Sequence, residues 1–415
     1  MMRRDGLLSA RGVAAAFVLG AIGLLVAWLC VRTTVVALLP PGTPAVAGIA
    51  PGSPAVTLDR ATLALGQKRG LLGGPHRGFD AATLASVRRA AANAPLDARP
   101  FLILGYQQLS EGKVPRATRS LEAAQRLNPR NRLVHLLLLE RYLLTNRFAD
   151  AAAQFSVLSR LVGQAQPTIA TAMAQMLLEP TMRDAARRTL RTDPVLERSV
   201  LTALAKGSTE PDDIFALAGP VALADAGREG SWGQILVTRL VRDERFATAR
   251  DVWQRIHRLP AAAVAAPLFN PSFGPVQASA PFNWTLTAGG LGAADPRAGT
   301  LTIDYYGRDS GDLARQLLVL APGRYRLAFT TMGGKPDAAS RLFWTVTCAG
   351  EGGAVLTNVA VPTAPGTRRA EGAFDVPAGC SAQTLVLRGE AGEFPSPITL
   401  DIGNVAIRAS TENNQ

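Results

Sequence analysis

Hydrophobic positions follow three different patterns along the chain. Residues 12–31 are apolar without a charge, residues 80–260 place apolar side chains at helical spacing, and residues 270–410 contain short alternating runs. A continuous apolar run of this length predicts a transmembrane helix, helical spacing predicts amphipathic helices, and alternation predicts half-buried strands. The sequence therefore predicts a multi-domain protein with a transmembrane helix, an α-helical region and a C-terminal antiparallel β-sandwich.

Charge flanks the apolar run unequally. Arg3, Arg4 and Arg11 precede it, and only Arg32 follows closely. Because cations stay on the cytoplasmic side, this predicts a cytoplasmic N-terminus at 1–11, a membrane helix at 12–31 and the bulk of the chain outside. In a bacterium this is a single-pass inner-membrane protein that faces the periplasm. The alternative is a signal peptide cleaved at Ala45–Ala47, although such peptides have apolar cores of about 7–15 residues.

Residues 32–79 form a predicted Pro/Gly-rich linker. Pro, Gly or Ser stands at nearly every second position of Pro40–Pro54. Since proline lacks an N–H group and cannot continue a helix, this stretch predicts an extended spacer. Thr57–Gln67 is compatible with a short helix.

The helical region repeats at an interval of 34 residues. Ala98–Asn131 is predicted to form two helices joined by a tight turn at Ser110–Gly112, and the next 34 residues repeat this plan. A helical hairpin that recurs at this period is typical of stacked repeats. Asp80 precedes one more helix, which ends at Pro95 and predicts the second half of an incomplete first unit.

This pattern resembles the tetratricopeptide repeat. In that family, small residues let the two helices of a hairpin approach, and larger residues fill the seam with the next hairpin. The resemblance implies an α-solenoid over about residues 80–260 that binds a protein partner. The matching positions are Phe101, Leu104, Gly105, Gly112, Ala117, Leu121, Ala124 and Pro129, followed by Leu138, Tyr142, Phe148, Ala151, Phe155 and Leu158.

The repeat pattern weakens after Gln166. Thr168–Glu179 and Thr181–Leu190 predict one more helix pair, shorter helices follow, and Ser231–Leu259 fits a last hairpin. Stacked hairpins need about three units for stability, and residues 80–260 supply them. Residues 1–262 carry a net charge of +13 and residues 263–415 a net charge of −1. The interspersed Arg and Glu of the helical region fit an ordinary solvated surface. No Lys/Arg cluster alternates with aromatic residues, so no nucleic-acid partner is predicted.

The composition changes at Pro260. Residues 261–269 are a predicted linker, residues 270–410 a β-sandwich and residues 411–415 a tail. Many short strands separated by Gly- and Pro-rich turns predict an antiparallel sandwich of the jelly-roll kind. The predicted strands are Thr300–Tyr305, Gly323–Thr330, Arg341–Cys348, Thr384–Arg388 and Ile398–Arg408.

Three motifs of this region resemble the galactose-binding-like jelly rolls, which include cellulose-binding modules. Asn270–Phe273 resembles their opening strand, Asn283–Trp284 a following Gly-Trp, and Asp401–Val405 their closing strand. The resemblance implies carbohydrate binding through exposed aromatic side chains, with Asn, Asp or Arg for the sugar hydroxyls. Gly274 stands where the family carries a Glu that often supports a structural calcium, so no cofactor or metal is predicted.

Trp284, Tyr305 and Tyr306 are the candidate ligand-binding residues, and Phe343 is a further aromatic candidate. Because Tyr305 and Tyr306 are adjacent, a strand would point one ring into the core and the other to solvent. The competing interpretation is that the aromatic rings fill the sandwich, since large aromatic side chains dominate protein cores.

The three cysteines divide between the two ends of the chain. Cys30 lies in the predicted membrane helix, and Cys348 and Cys380 lie in the predicted sandwich. Two cysteines do not complete a four-ligand zinc site. In an oxidising compartment they would form a disulfide, and two buried thiols are the alternative.

No catalytic signature is visible in the sequence. The three histidines are isolated, and neither a Gly-rich phosphate loop nor a nucleophile elbow occurs. We therefore predict no enzyme activity. The order of anchor, linker, repeats and sandwich predicts a periplasmic scaffold that holds a protein partner in envelope or polysaccharide assembly. The alternative is a glycan-binding protein whose repeats serve as a stalk.

Overall fold

The computed structural model describes residues 10–39, 43–49, 53–67, 77–163, 166–297, 299–334, 339–350, 353–394 and 396–410. The chain divides into two units, Met1–Thr192 and Asp193–Gln415. The first unit is helical, and the second begins with helices and ends in two antiparallel sheets. The predicted helical region followed by an antiparallel β-sandwich is confirmed. The predicted tail 411–415 and nearly all of the predicted cytoplasmic segment 1–11 lie outside the described residues.

The predicted membrane span needs correction. Residues 12–31 belong to the helix α1 (Ala10–Leu38). A hydrocarbon core of about 30 Å requires about 20 predominantly apolar residues in one helix. In the part of the chain that the structure describes, no helix combines that length with that apolar character. The prediction of a single-pass inner-membrane protein, with its bulk in the periplasm, depended on this span and is wrong.

Helices of the first unit pack in consecutive pairs. Asp80, Asp97 and Asn131 begin three of them, because each side chain accepts a hydrogen bond from a backbone N–H group of the first turn. After the short helix α2 (Pro44–Ile49), the pairs are α3 (Pro54–Gly66) with α4 (Ala81–Asn93), α5 (Ala98–Ser110) with α6 (Val114–Leu127), α7 (Arg132–Leu144) with α8 (Phe148–Leu161), and α9 (Gln166–Leu178) with α10 (Pro180–Thr192).

A small residue sets the close approach of α5 and α6. A Cβ atom on Gly105 would lie 2.9 Å from Cγ of Leu121, so a larger residue there would push the helices apart. Ala117, Leu121 and Ala124 of α6 are fully buried beneath α5 and its neighbours. The small and apolar residues that recur in the sequence thus allow the two helices to pack closely.

A polar cluster joins α6 to the next pair. Tyr142 of α7 donates a hydrogen bond to Glu122 of α6 over 3.0 Å, and Arg147 lies over the Tyr142 ring while pairing with Glu122 and Asp150. Burial of the phenol, together with the neighbouring Glu122 carboxylate, raises the pKa of Tyr142 above its ordinary value. The phenol therefore stays a hydrogen-bond donor across the physiological pH range.

Helix α3 lies inside the predicted linker 32–79 and completes the first pair. Pro54 stands in its first turn, where proline is tolerated because that N–H group has no helical partner. The predicted short helix at Thr57–Gln67 is therefore part of the stacked array. Its buried contacts form one cluster with the following helices, made of Leu58, Ala61, Val87, Ala90 and Ile103.

We predict that α3 contributes to the stability of the array. Leu58 is fully buried and Leu63, on the same helix, is 54% exposed. Leu58→Ala should lower the free energy of unfolding by about 2–4 kcal/mol through loss of buried surface and the cavity left behind. The matched control Leu63→Ala should change it by about 0.5 kcal/mol or less. Urea unfolding followed by circular dichroism measures both, and equal effects would show that α3 is only a linker segment.

The second unit starts with helices and continues into the sandwich. Its helices are α11 (Pro194–Lys206), α12 (Pro211–Leu217), α13 (Pro220–Asp225), α14 (Trp232–Arg242), α15 (Phe246–Ile256) and α16 (Ala261–Val264). The predicted linker at 261–269 thus contains a short helix. Helices α14 and α15 form a hairpin, in agreement with the hairpin predicted at Ser231–Leu259.

Two sheets form the sandwich in the described part of the chain. Their inner faces meet in one core that includes Leu327, Phe329, Leu342 and Trp344. In spatial order, the five-stranded sheet is β1 (Thr285–Leu286), β5 (Gly311–Leu318), β10 (Gln383–Glu390), β7 (Arg341–Cys348) and β8 (Val355–Ala360). The six-stranded sheet is β2 (Ala288–Gly289), β3 (Gly292–Arg297), β4 (Thr300–Tyr305), β11 (Ile398–Ala409), β6 (Gly323–Gly333) and β9 (Arg368–Val376).

Helix α15 is packed directly on the sandwich. The indole N–H of Trp253 donates to the carbonyl of Ser279 over 2.7 Å, and its ring meets Phe269 and Phe282 at centroid distances of 5.0 and 5.6 Å. Arg250 of the same helix donates to the carbonyl of Val319 over 3.2 Å. The last helical hairpin therefore belongs to the same unit as the sandwich, whereas the sequence placed a domain boundary at 260–270.

His257 closes this contact and makes it sensitive to pH. Its Nε2 atom lies 3.3 Å from the donating backbone N–H of Ser279 and 3.0 Å from Nε2 of Gln234, so the ring is bound as a neutral acceptor. Burial of the ring lowers the pKa of His257 below its ordinary value. Protonation would remove the acceptor that holds Ser279.

We predict a loss of stability at acid pH that depends on His257. Because its pKa is lower in the folded protein, the unfolded chain binds the proton more tightly. The contribution is complete above the unfolded pKa of about 6.5 and is lost as the pH falls through the folded value. Thermal unfolding between pH 7.5 and 5 should show this decrease, and His257→Gln should flatten it. An unchanged slope in the variant would contradict the assignment.

Candidate functional site

The outer face of the five-stranded sheet carries a regular grid of polar side chains. Strand register places Asp312, Arg388 and Phe343 side by side on β5, β10 and β7. The next row holds Arg315, Val386 and Thr345, with Asn358 of β8 beyond, and the third row holds Leu317, Thr384 and Thr347. Successive residues of a strand alternate between faces, so all these side chains point away from the core.

A groove of about 690 Å³ lies over this grid. The α14–α15 hairpin forms one wall through Arg242, Glu244 and Phe246. The loop after β7 also lines the groove, and a Cβ atom on Gly350 would lie only 3.2 Å from Oε1 of Glu244. The volume lies within the range of about 300–1,000 Å³ that is typical of ligand pockets.

Charges in the groove are arranged around one carboxylate. Arg315 donates to Asp312 over 2.7 Å, and Arg388 lies 3.9 Å from the other carboxylate oxygen. The two arginine side chains are about half exposed, so most of their N–H groups face the groove. Thr345 donates to Asn358 over 3.3 Å, which leaves the Asn358 amide group available as a donor. The groove thus offers donors and acceptors next to each other.

A disulfide lies at one end of the groove. Cys348 at the end of β7 is bonded to Cys380, which precedes β10, with their Cα atoms 5.6 Å apart. Cys348 itself lines the groove. The bond holds the loop after β7 against the start of β10, next to the floor residues Thr347 and Thr384. Cys30, the third cysteine, is a free exposed thiol on α1.

Trp284 is partly buried and packs against the core of the sandwich. Its indole N–H donates to the carbonyl of Asn270 over 2.9 Å, and its ring lies 5.0 Å from that of Phe273 and 5.8 Å from that of Trp344. Asn270 in turn accepts from the N–H group of Gly274 over 2.9 Å. Asn270–Phe273, predicted as an opening strand, is therefore a turn. It positions the rings of Phe273 and Trp284 against the core.

The adjacent tyrosines face opposite sides. Tyr305 is fully buried, and its hydroxyl donates to the carbonyl of Asp309 over 2.8 Å. Burial raises the pKa of the Tyr305 phenol. Tyr306 is 45% exposed but lies beyond β4, on the other sheet from the groove. Of the aromatic candidates, only Phe343 lies on the face that carries the groove, directly opposite Arg388.

Sequence reasoning missed the charged residues of the groove. Asp312 and Arg315 lie on β5, which was not among the predicted strands, and Arg388 ends a predicted strand without being singled out. No group of three or more His, Cys, Asp or Glu side chains among the described residues is placed to hold a metal ion. The arrangement of the groove suits reversible binding of a polar ligand.

Comparison with known proteins identifies no family and gives partial structural similarity at low TM-scores. No protein-family model matches the sequence, and no curated protein matches it. A structure described as "CBM4 structure and function" is 16% identical, covering 29% of this chain and 89% of that chain with a TM-score of 0.22. TmCBM61 in complex with β-1,4-galactotriose is 13% identical, covering 35% of this chain and 99% of that chain with a TM-score of 0.25. YrrB, a TPR protein with an unusual peptide-binding site, is 15% identical, covering 41% of this chain and 91% of that chain with a TM-score of 0.23.

We predict that Trp284 supports the fold and that Tyr306 does not. Trp284→Ala removes a ring packed on Trp344 and should lower the free energy of unfolding by about 3 kcal/mol. Tyr306→Ala, at a half-exposed ring, should change it by about 0.5 kcal/mol or less. Urea unfolding of the whole chain measures both. A small effect of Trp284→Ala would contradict the structural role and would favour a role of this ring in ligand binding.

Proposed function

We propose that this protein binds a glycan in the groove over the five-stranded sheet. The observation that carries the proposal is the placement of Asp312 between Arg315 and Arg388 in an open groove floored by threonines. A sugar hydroxyl both donates and accepts a hydrogen bond. The carboxylate accepts from such a hydroxyl, and either guanidinium donates to its oxygen.

Apolar surface beside these charges supports the same proposal. Val386 lies in the floor between Arg315 and Thr345, and Phe343 lies next to Arg388. Together they give the C–H faces of a sugar ring a surface to pack on. The groove carries Arg242, Arg315 and Arg388 against Asp312 and Glu244, so its net charge is small. This balance favours a neutral glycan.

The wall formed by the α14–α15 hairpin restricts how a glycan enters. Because Glu244 stands close to Gly350 on the loop after β7, the groove is narrow at that end. A chain that lies on the threonines at this end would contact Phe246 or Arg242. This favours a short glycan or the end of a longer chain over a chain that crosses the whole sheet.

Binding without catalysis is part of the proposal: no histidine lines the groove, and of its two carboxylates Asp312 is already paired with Arg315. The scaffold role predicted from the helical repeats, with a protein partner, stays a prediction. The completed pair α3–α4 lengthens the array that such a partner would contact. If the protein has both the glycan-binding role and the scaffold role, the sandwich recognises the glycan and the first unit binds the protein partner.

A neutral-glycan microarray with the complete chain, followed by titration calorimetry with the tightest ligand, tests the proposal. Arg388→Gln removes one charge-assisted donor and should weaken binding by about tenfold. The matched control is Arg324→Gln on β6, an exposed arginine of the other sheet with the same change in charge. Binding to no neutral glycan, or equal losses in the two variants, would refute the site.

A further inference from the structure

A second hollow lies on the opposite face of the sandwich. It opens on the outer surface of the six-stranded sheet, over β9, β6 and β11, and has a volume of about 560 Å³. Its floor is formed by Ala328 and Ala406, which are cross-strand partners. Because these two side chains are short, the longer residues around them leave a depression about two strand spacings, or about 10 Å, wide.

Arginines surround this floor. Strand register places Arg326 and Arg408 side by side at one end, and Arg369 beside Thr330 at the other. Arg326 and Arg408 point outward because their neighbours Leu327 and Ile407 are buried in the core. Arg369 points outward because its neighbour Ala370 packs against the core. Among the residues that line the hollow, Glu371 is the one carboxylate. The hollow therefore carries a net positive charge.

Glu371 forms ion pairs with Arg326 and Arg369 but not with Arg408. Arg326 donates to Glu371 over 3.0 Å, and Arg369 lies 3.6 Å from its other oxygen. Arg408 pairs with no carboxylate among the described residues, although it lies directly opposite Arg326. Like charges opposite each other destabilise a sheet. An anion above the alanine floor would relieve this repulsion.

A β-bulge supplies a polar group on the remaining side. The register between β11 and β6 shifts between Gly403 and Ala406, and Asn404 in between has a left-handed backbone with φ of 52°. The Asn404 amide donates to Thr330 over 3.1 Å, and Thr330 donates to the carbonyl of Gly403 over 3.0 Å. Bulges commonly turn a side chain toward a site. Here the bulge leaves the Asn404 carbonyl beside the hollow as an acceptor.

We propose that this hollow binds an anionic polysaccharide, through a carboxylate or sulfate group held by Arg326 and Arg408. Phe329 is the one aromatic residue among those that line the hollow, and it is buried in the core. It therefore cannot stack a nucleobase, and phosphate-backbone binders of single strands rely on such stacking. A flat lipid surface would touch the arginine tips but would not fill the floor at Ala328. The hydroxyls of a sugar that carries the anionic group would lie next to Asn404.

Fluorescence anisotropy with the complete chain tests this proposal against three labelled probes. These are oligogalacturonate for a carboxylate, dextran sulfate for a sulfate ester and neutral dextran. We expect both anionic probes to bind, with weaker binding at higher salt because exposed charges are screened. Repeating the titrations in the Arg388→Gln chain shows whether the groove on the other sheet contributes, because binding in the hollow should not change in this variant. The tighter of the two anionic probes then identifies the group that the hollow prefers.

Three variants at exposed residues separate the hollow from general surface charge. Arg408→Gln should weaken anionic binding by about tenfold, and Glu371→Gln should strengthen it. Arg324→Gln changes the charge on the same face but pairs with Asp375 outside the hollow, so it should act less than about twofold. Equal losses from Arg324→Gln and Arg408→Gln, or no binding of either anionic probe, would overturn the proposal. Tighter binding to vesicles of anionic phospholipid, lost in Arg408→Gln, would overturn it too.

Discussion

The contact between Trp253 and the sandwich is the constraint on which the candidate groove depends. The indole N–H is bonded to the carbonyl of Ser279, and the ring fills a space bounded by Phe269 and Phe282. An indole buried in this way combines a large apolar area with one satisfied donor. It fixes α15 on the sandwich, and α15 with α14 carries the turn at Glu244 that forms a groove wall. Without this contact, the five-stranded sheet would present an open face in place of a groove.

The two faces of the sandwich then differ in a consistent way. On the five-stranded sheet, Arg315 and Arg388 share Asp312 beside the α14–α15 wall, which carries Glu244, and the net charge is small. On the six-stranded sheet, three arginines surround an alanine floor with one glutamate among them. One core of aromatic and aliphatic residues separates the faces and holds their registers. The same strand alternation that buries this core therefore exposes two chemically distinct surfaces, one suited to hydroxyls and one to anions.

Sequence patterns predicted the larger elements because burial dictates them. Helical periodicity located the hairpins at Ala98 and Ser231, and alternation located β6 and β7. Strand β5 was not predicted because Asp312, Arg315 and Gln316 interrupt its apolar residues. Gln316 is nevertheless buried, since its amide bonds both backbone groups of Phe269. Two of the polar residues that obscured the strand, Asp312 and Arg315, also line the groove, so strand and site were missed together. The sequence left open whether Trp284 contacts a ligand or fills the core, because its hydrogen bond to Asn270 depends on a turn that the sequence alone does not display.

The most direct measurement is a crystal structure of the complete chain with the neutral glycan that it binds most tightly. The account predicts a sugar ring in the groove between the α14–α15 hairpin and the five-stranded sheet, with hydroxyls bonded to Asp312 and Arg388 and a ring face near Val386. A glycan bound at the helical repeats, at the loops of the sandwich or beside Tyr306, with the groove filled only by water, would contradict it.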